Sequence, residues 1–174
     1  MKIRLAGIHG ESMVDGPGIR YTVFVQGCPH ECEGCHNLQT HSFNGGAIAY
    51  VEDINEDILR MKDGIDGITL SGGEPFTQPI PCAEIAKYAK SLGLNVWCYT
   101  GYTFEQLEYR SHTDGACREL MGLIDVLVDG RFMKDKKSMN CLFRGSTNQR
   151  LVDVPASLRA EKVVTIEECK LSDT

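Results

Sequence analysis

The chain has 174 residues, 42% of them hydrophobic, and its 18 lysines and arginines against 24 aspartates and glutamates give a formal net charge of −6. At this size folding buries roughly 70% of the surface that the unfolded chain exposes, so a dominantly disordered or disulfide-dependent chain is excluded and one domain over residues 1–174 is expected. The acidic balance speaks against nucleic acid or an anionic membrane as partner, and the lack of any apolar run of signal-peptide or membrane-spanning length makes a cytoplasmic location the expectation.

Ile3 to Ile8 reads as a first strand, and Tyr21-Thr22-Val23-Phe24-Val25 as a second, β-branched and aromatic and ended by Gly27. Val51, Ile54, Ile58 and Leu59 recur at helical spacing between Val51 and Met61, with Gly64 as a stop. Gly67 to Ser71 reads as a buried strand closed by Gly72-Gly73. The spacing of Ile80, Ala83, Ile85, Ala86, Ala89 and Leu92 predicts a helix, with Gly93 behind it as a cap. Leu94 to Tyr99 is a further strand, Phe104 to Tyr109 and Ala116 to Leu123 are helical, and Asp125 to Asp129 is a last short buried strand. The basic cluster Lys134 to Lys137, interrupted by Asp135, reads as a solvated turn, and the remaining C-terminal stretch as a loop with solvated arginines.

Strands alternating with helices at this pace imply βαβ units and a parallel sheet, an α/β class. The polar and glycine-rich segments at 27–37, 71–78, 100–103 and 129–132 all follow strands, at the edge where parallel α/β folds carry their active sites. A closed eight-unit barrel takes ~250 residues, so a chain of this length supplies about five βα units. An open partial (β/α) barrel is therefore expected.

Eight cysteines in a chain without a secretion pattern point to metal binding or catalysis rather than to disulfides. Cys82, Cys98, Cys117, Cys141 and Cys169 are scattered singly and read as small buried apolar residues. Cys28, Cys32 and Cys35 instead fall on one loop after a strand, with the spacing Cys-x3-Cys-x2-Cys. One reading is a zinc site in which His30 or His36 supplies the fourth ligand. The other is a four-iron cluster whose fourth iron keeps an open position for a substrate.

The triplet resembles the signature of the radical S-adenosylmethionine superfamily, although Gly34 stands where that family usually has an aromatic residue. Ser71-Gly72-Gly73-Glu74-Pro75 is similar to the superfamily's Gly-Gly-Glu-Pro segment. Asp15-Gly16-Pro17-Gly18-Ile19-Arg20, with Phe24 to Cys28 and Cys35-His36-Asn37, resembles the glycyl-radical activating enzymes. Three later segments, 99–103, 125–132 and 143–150, look like those of activating proteins of anaerobic ribonucleotide reductases.

The resemblance implies a 4Fe-4S cluster held by Cys28, Cys32 and Cys35, with S-adenosylmethionine chelating the open iron. It implies that Gly72, Gly73 and Glu74 contact the methionine end of that cofactor, and Thr100, Asp129 and Arg131 its ribose or carboxylate. A side chain at Gly73 is then expected to obstruct the cofactor and leave the cluster intact. His36 and Asp15 are expected to face the incoming glycine of the partner. The implied reaction is reductive cleavage of the sulfonium to methionine and a 5′-deoxyadenosyl radical, which takes a hydrogen from one glycine of the reductase. Electrons come from an external one-electron donor such as flavodoxin. Two alternatives stand beside this reading: activation of another glycyl-radical enzyme such as pyruvate formate-lyase, and a non-enzymatic zinc or iron-sulfur module.

Overall fold

A computed structural model describes residues 1–167; Cys169 lies outside them. In chain order the elements are β1 (Lys2–Ser12), β2 (Arg20–Val25), β3 (Ala47–Tyr50), α1 (Val51–Met61), β4 (Gly67–Gly72), α2 (Pro79–Ser91), β5 (Asn95–Tyr99), α3 (Phe104–Ser111), α4 (Gly115–Leu123), β6 (Val126–Asp129), β7 (Arg150–Asp153) and α5 (Val154–Ala160). The seven strands form one sheet in the order β3-β1-β2-β4-β5-β6-β7.

β2, β4, β5 and β6 are parallel neighbours. Each is joined to the next through helix: α1 before β4, α2 before β5, and α3 with α4 before β6. Antiparallel strands flank this centre, β1 and β3 on one side and β7 on the other. The α/β class expected from the alternation is what forms, but four parallel strands with three helical crossovers replace the five units inferred from length.

The alternation of side chains along a strand sorts the two faces of the sheet. Tyr21, Val23, Val25, Ile68, Leu70, Val96, Cys98 and Leu127 share one core with Ile54 and Ile58 of α1, Cys82 and Ala86 of α2, Leu107 of α3 and Leu120 of α4. Trp97, Val126, Val128 and Leu151 make a separate, smaller cluster with Tyr99 and Phe143. The crossover helices therefore cover one face, and loops cover the other.

Local signals place the helix ends. Val51, Ile54 and Ile58 give α1 its buried stripe, and Gly93, at φ +80°, ends the turn that follows α2. Thr103 and Gln106 cap α3 reciprocally, while Asp114 and Asp153 each accept a backbone N–H of α4 and α5. β3, β7 and α5 lie in stretches where the sequence suggested no element.

Arg20, fully buried at the start of β2, fastens the segment that follows β1. Its Nε donates to Thr69 Oγ1 at 3.1 Å, and the Thr69 hydroxyl donates to the Asp15 carbonyl at 2.7 Å. The guanidinium also donates to Asn95 Oδ1 and to the Ile68 carbonyl and lies 5.7 Å from the centre of the Trp97 ring. Every polar partner is neutral, and burial lowers its pKa to about 10. Residues 13–15 are thereby held over the loop-covered face.

Candidate active site

A cavity of about 790 Å³ opens at the C-terminal edge of the parallel strands. Cys28, Cys32 and Cys35 line it from the loop after β2, Ser71, Gly72 and Gly73 from the end of β4, Tyr99, Thr100 and Gly101 from the end of β5, and Gly130 and Phe132 from beyond β6. The segments that the sequence placed after strands converge there.

The cysteine loop winds tightly because two of its residues take the left-handed conformation, Glu31 at φ +49° and Gly34 at φ +77°. A Cβ on Gly34 would lie 3.4 Å from the Phe132 ring, so an aromatic residue from beyond β6 packs against the turn before the third cysteine. Gly27 N donates to Thr40 O and Cys28 N to His41 O, which turns the connection back on itself. The three thiols are half-buried, and burial pushes those of Cys28 and Cys32 up. Such thiols ionise when a bound cation repays their desolvation, which is the chemistry of metal ligands.

Among the described residues no three His, Cys, Asp or Glu side chains gather closely enough to hold a single ion. The Nε2 of His30 is taken by Glu74, and His36 is exposed, its ring tilted against Phe132 at 5.4 Å. The donor set is three thiols spaced along a cavity wall. It suits a cluster, which takes one thiolate at each of three irons, better than a zinc ion, which draws four ligands to one point.

The turn after β4 is fixed by backbone contact. Gly73 N donates to Val25 O and Glu74 N to Gly27 O, each at 2.8 Å. A Cβ on Gly72 would lie 2.5 Å from Val25 N, and one on Gly73 2.3 Å from Gly27 O. Glycine is required here by the cysteine loop pressing on the turn, as well as by any ligand in the cavity.

Three expected cofactor contacts are placed elsewhere. Glu74 is fully buried and lies off the cavity wall; its carboxylate accepts from His30 Nε2, Phe76 N, Thr100 Oγ1 and Gly101 N. Its carboxylate thereby joins the cysteine loop to the ends of β4 and β5. Asp129, also buried, accepts from Phe104 N and from the Arg150 guanidinium. Arg131 is exposed and off the wall, and its carbonyl accepts from Asn148 Nδ2. Asp15, His36, Gly72, Gly73 and Thr100 do line the cavity.

Sequence reasoning passed over several residues. His30 was weighed only as a zinc ligand. Cys141, read as buried, is half-buried and lines the cavity, whereas Cys82, Cys98 and Cys117 are buried. Arg150, read as solvated, donates to Asp129 and to both oxygens of Glu105. Gln149 and Asn148 fasten the long connection between β6 and β7: Gln149 Oε1 accepts from Gly145 N and Ser146 N, and its Nε2 donates to Gly130 O. Lys134 pairs with Glu33 of the cysteine loop at 3.1 Å.

Arg150→Gln is expected to cost about 3 kcal/mol in urea unfolding, because it leaves the Asp129 carboxylate buried with one N–H donor; the figure sits at the low end of the range for broken buried pairs since the arginine is one-third exposed. Arg150 also holds the Glu105 carboxyl below its ordinary value of 4.5. That contribution is present above this pH and lost as pH falls through the depressed value, and in the variant the acid-side loss should shrink.

Comparison with known proteins agrees with this chemistry. The family described as "4Fe-4S single cluster domain" matches residues 14–152, which takes in the three cysteines and every residue that lines the cavity except Met13. The anaerobic ribonucleoside-triphosphate reductase-activating protein of Escherichia coli K12 is 37% identical over 145 residues, covering 79% of this chain and 90% of its own length. Those of Salmonella typhi, at 38% over 144 residues, and of Enterobacteria phage T4, at 35% over 144 residues, cover 79% of this chain and 90% and 86% of their own. The chain belongs to the family of anaerobic ribonucleoside-triphosphate reductase-activating proteins. The crystal structure of QueE from Escherichia coli superposes over 59% of this chain and 54% of its own, with a TM-score of 0.45 at 19% identity, a likeness too slight to define an architecture.

Proposed function

We propose that this protein activates an anaerobic ribonucleoside-triphosphate reductase by forming a glycyl radical on it. The observation that carries this reading is the convergence of three thiols, a glycine turn and the ends of parallel strands on one cavity, in a chain of the activating family. When bound, a 4Fe-4S cluster and S-adenosylmethionine supply a one-electron cleavage whose product removes a hydrogen atom from carbon.

The chain's own residues do the rest. Cys28, Cys32 and Cys35 hold the cluster and leave one iron free. The backbone of Gly72 and Gly73 and the Thr100 hydroxyl position the second cofactor on the adjoining wall. Asp15 and His36 stand where a glycine-bearing segment of the reductase would arrive, and that segment seals the cavity from water. Electrons come from an external one-electron carrier of the flavodoxin kind. The relatives' names support the reductase as partner over pyruvate formate-lyase.

Four parallel strands in sequential order, with their crossover helices on one face, support an open segment of a (β/α) barrel used as one domain. No helix among the described residues is long and apolar enough to cross a membrane, and we place the protein in the cytoplasm.

The test is anaerobic. Reconstituted protein, S-adenosylmethionine and a reductant should cleave the cofactor slowly and leave no stable radical. Adding the reductase should yield the doublet electron-spin signal of a glycyl radical, lost when its target glycine is changed to alanine. A signal that persists without that glycine, or that arises on the activating chain, would refute the reading.

A further inference from the structure

We propose that His30 is a positioning residue: through its hydrogen bond to Glu74 it sets where the cysteine loop stands relative to the ends of β4 and β5. Resting on the functional reading above, it thereby governs how a cluster on the loop meets S-adenosylmethionine on those strand ends.

His30 lies between Cys28 and Cys32 in the chain, so a shift of its backbone is passed to both. Its Nε2 is 2.7 Å from Glu74 Oε2, with the two side chains 4% and 0% exposed. The other donors to that carboxylate, Phe76 N, Gly101 N and Thr100 Oγ1, make Glu74 the acceptor and give the Nε2 proton to His30. Glu74 thereby gathers the cysteine loop, the turn after β4 and the end of β5 around one buried carboxylate.

The ring is confined from other directions. Tyr102 meets it edge-on, with centroids 4.6 Å apart, and a Cβ on Gly101 would lie 2.3 Å from its Cδ2. The backbone N–H groups of Gly27 and Cys28 donate to Thr40 and His41 within the same connection, and Gly27 O, at the base of the loop, accepts from Glu74 N. The His30 bond reaches across to the strands on which the second cofactor would sit. The bond stands beside the ligand loop rather than on a ligand, and substitutions of residues that orient metal ligands typically cost roughly 10- to 100-fold in affinity or activity.

Three variants of the full-length chain test this: His30→Leu, which removes the donor; His30→Gln, whose Nε2 lies at the same reach as the imidazole Nε2 and keeps it; and Gly101→Ala, whose Cβ displaces the ring and leaves His30 in place. After anaerobic reconstitution all three should carry the iron of the wild type. His30→Leu and Gly101→Ala should raise the KM for S-adenosylmethionine roughly 10- to 100-fold and change the electron-spin spectrum that the reduced cluster gives when S-adenosylmethionine is added. His30→Gln should stay within about threefold of wild type and keep the spectrum.

An unchanged KM and spectrum in His30→Leu would overturn the proposal. So would a His30→Gln variant as impaired as His30→Leu, which would assign the role to ring packing against Tyr102. Iron lost from His30→Leu and His30→Gln alike would make His30 a determinant of loop folding and overturn the positioning role. Wild-type protein that takes up iron yet does not bind S-adenosylmethionine would overturn the functional reading, and this inference with it.

Discussion

Cys32→Ala protein is expected to emerge from anaerobic reconstitution without a cluster, against about four iron and four sulfide in the wild type. The reason is the size of the donor set. Cys28, Cys32 and Cys35 are the thiols that the loop after β2 brings to the cavity, and removing Cys32 leaves two, of which Cys28 has its thiolate form disfavoured by burial. His30 cannot substitute through Nε2, which Glu74 holds. Reductase activation should fall below detection with the iron, as it should for Cys28→Ala and Cys35→Ala. Cys117→Ala, at a buried position within α4, is the control and should keep full iron. Iron and sulfide analysis with the brown absorbance of the cluster reads the result, and full iron in Cys32→Ala would remove the triplet as the ligand set.

Gly73→Val is the second large effect, and the structure changes what it should do. A side chain at 73 was expected to obstruct the cofactor and spare the cluster. The Cβ of residue 73 points instead at the cysteine loop, 2.3 Å from Gly27 O, 2.8 Å from Gly27 C and 3.0 Å from Thr40 O. These are backbone atoms of the cysteine connection, Gly27 standing one residue before the first cysteine, so no rotamer relieves the overlap, and the Gly73 N and Glu74 N bonds must open with it. A loss of more than about 3 kcal/mol in denaturant unfolding is expected, with cluster content falling in parallel. A variant with normal stability and iron but weakened S-adenosylmethionine binding would restore the expectation drawn from sequence.

What could be read from the chain follows from how local each signal is. α1 runs over Val51–Met61 as its periodicity implied, because one buried stripe and one stop decide it. β2, β4, β5 and β6 were legible as β-branched runs ended by polar turns, and their shared orientation followed from the helices between them. β3 and β7 were not, since each has four residues and is held by partners distant in sequence, Lys2–Leu5 for β3 and β6 for β7. α5 did leave a trace in Asp153 followed by Pro155, an N-cap and an early proline, but its seven residues are too few to carry a periodicity.

In the site, the strand ends that meet at the cavity were legible and the direction of their side chains was not. Glu74 and Asp129 sit at strand ends, where a ligand contact is a natural expectation. Each turns inward because its donors come from segments well separated in sequence: His30 and Gly101 for Glu74, Phe104 and Arg150 for Asp129. No spacing rule within one segment records such a partnership.

The connection from β6 to β7 has the character of a replaceable cassette. Its two ends meet at the Lys137–Ser146 bridge and the Thr147 N to Lys136 O bond, and Gln149 and Asn148 lock the base to Gly130 and Arg131. Between those anchors, Met139 to Phe143 border the cavity without belonging to any helix or strand. Lengthening a loop whose ends are already joined costs little, about 0.6 kcal/mol for each doubling. Residues 139–142, which border the mouth, can therefore be exchanged or extended while the ligand loop and the β-sheet stay as they are, whereas Phe143, bonded to Tyr99 and packed on Trp97, belongs to the framework.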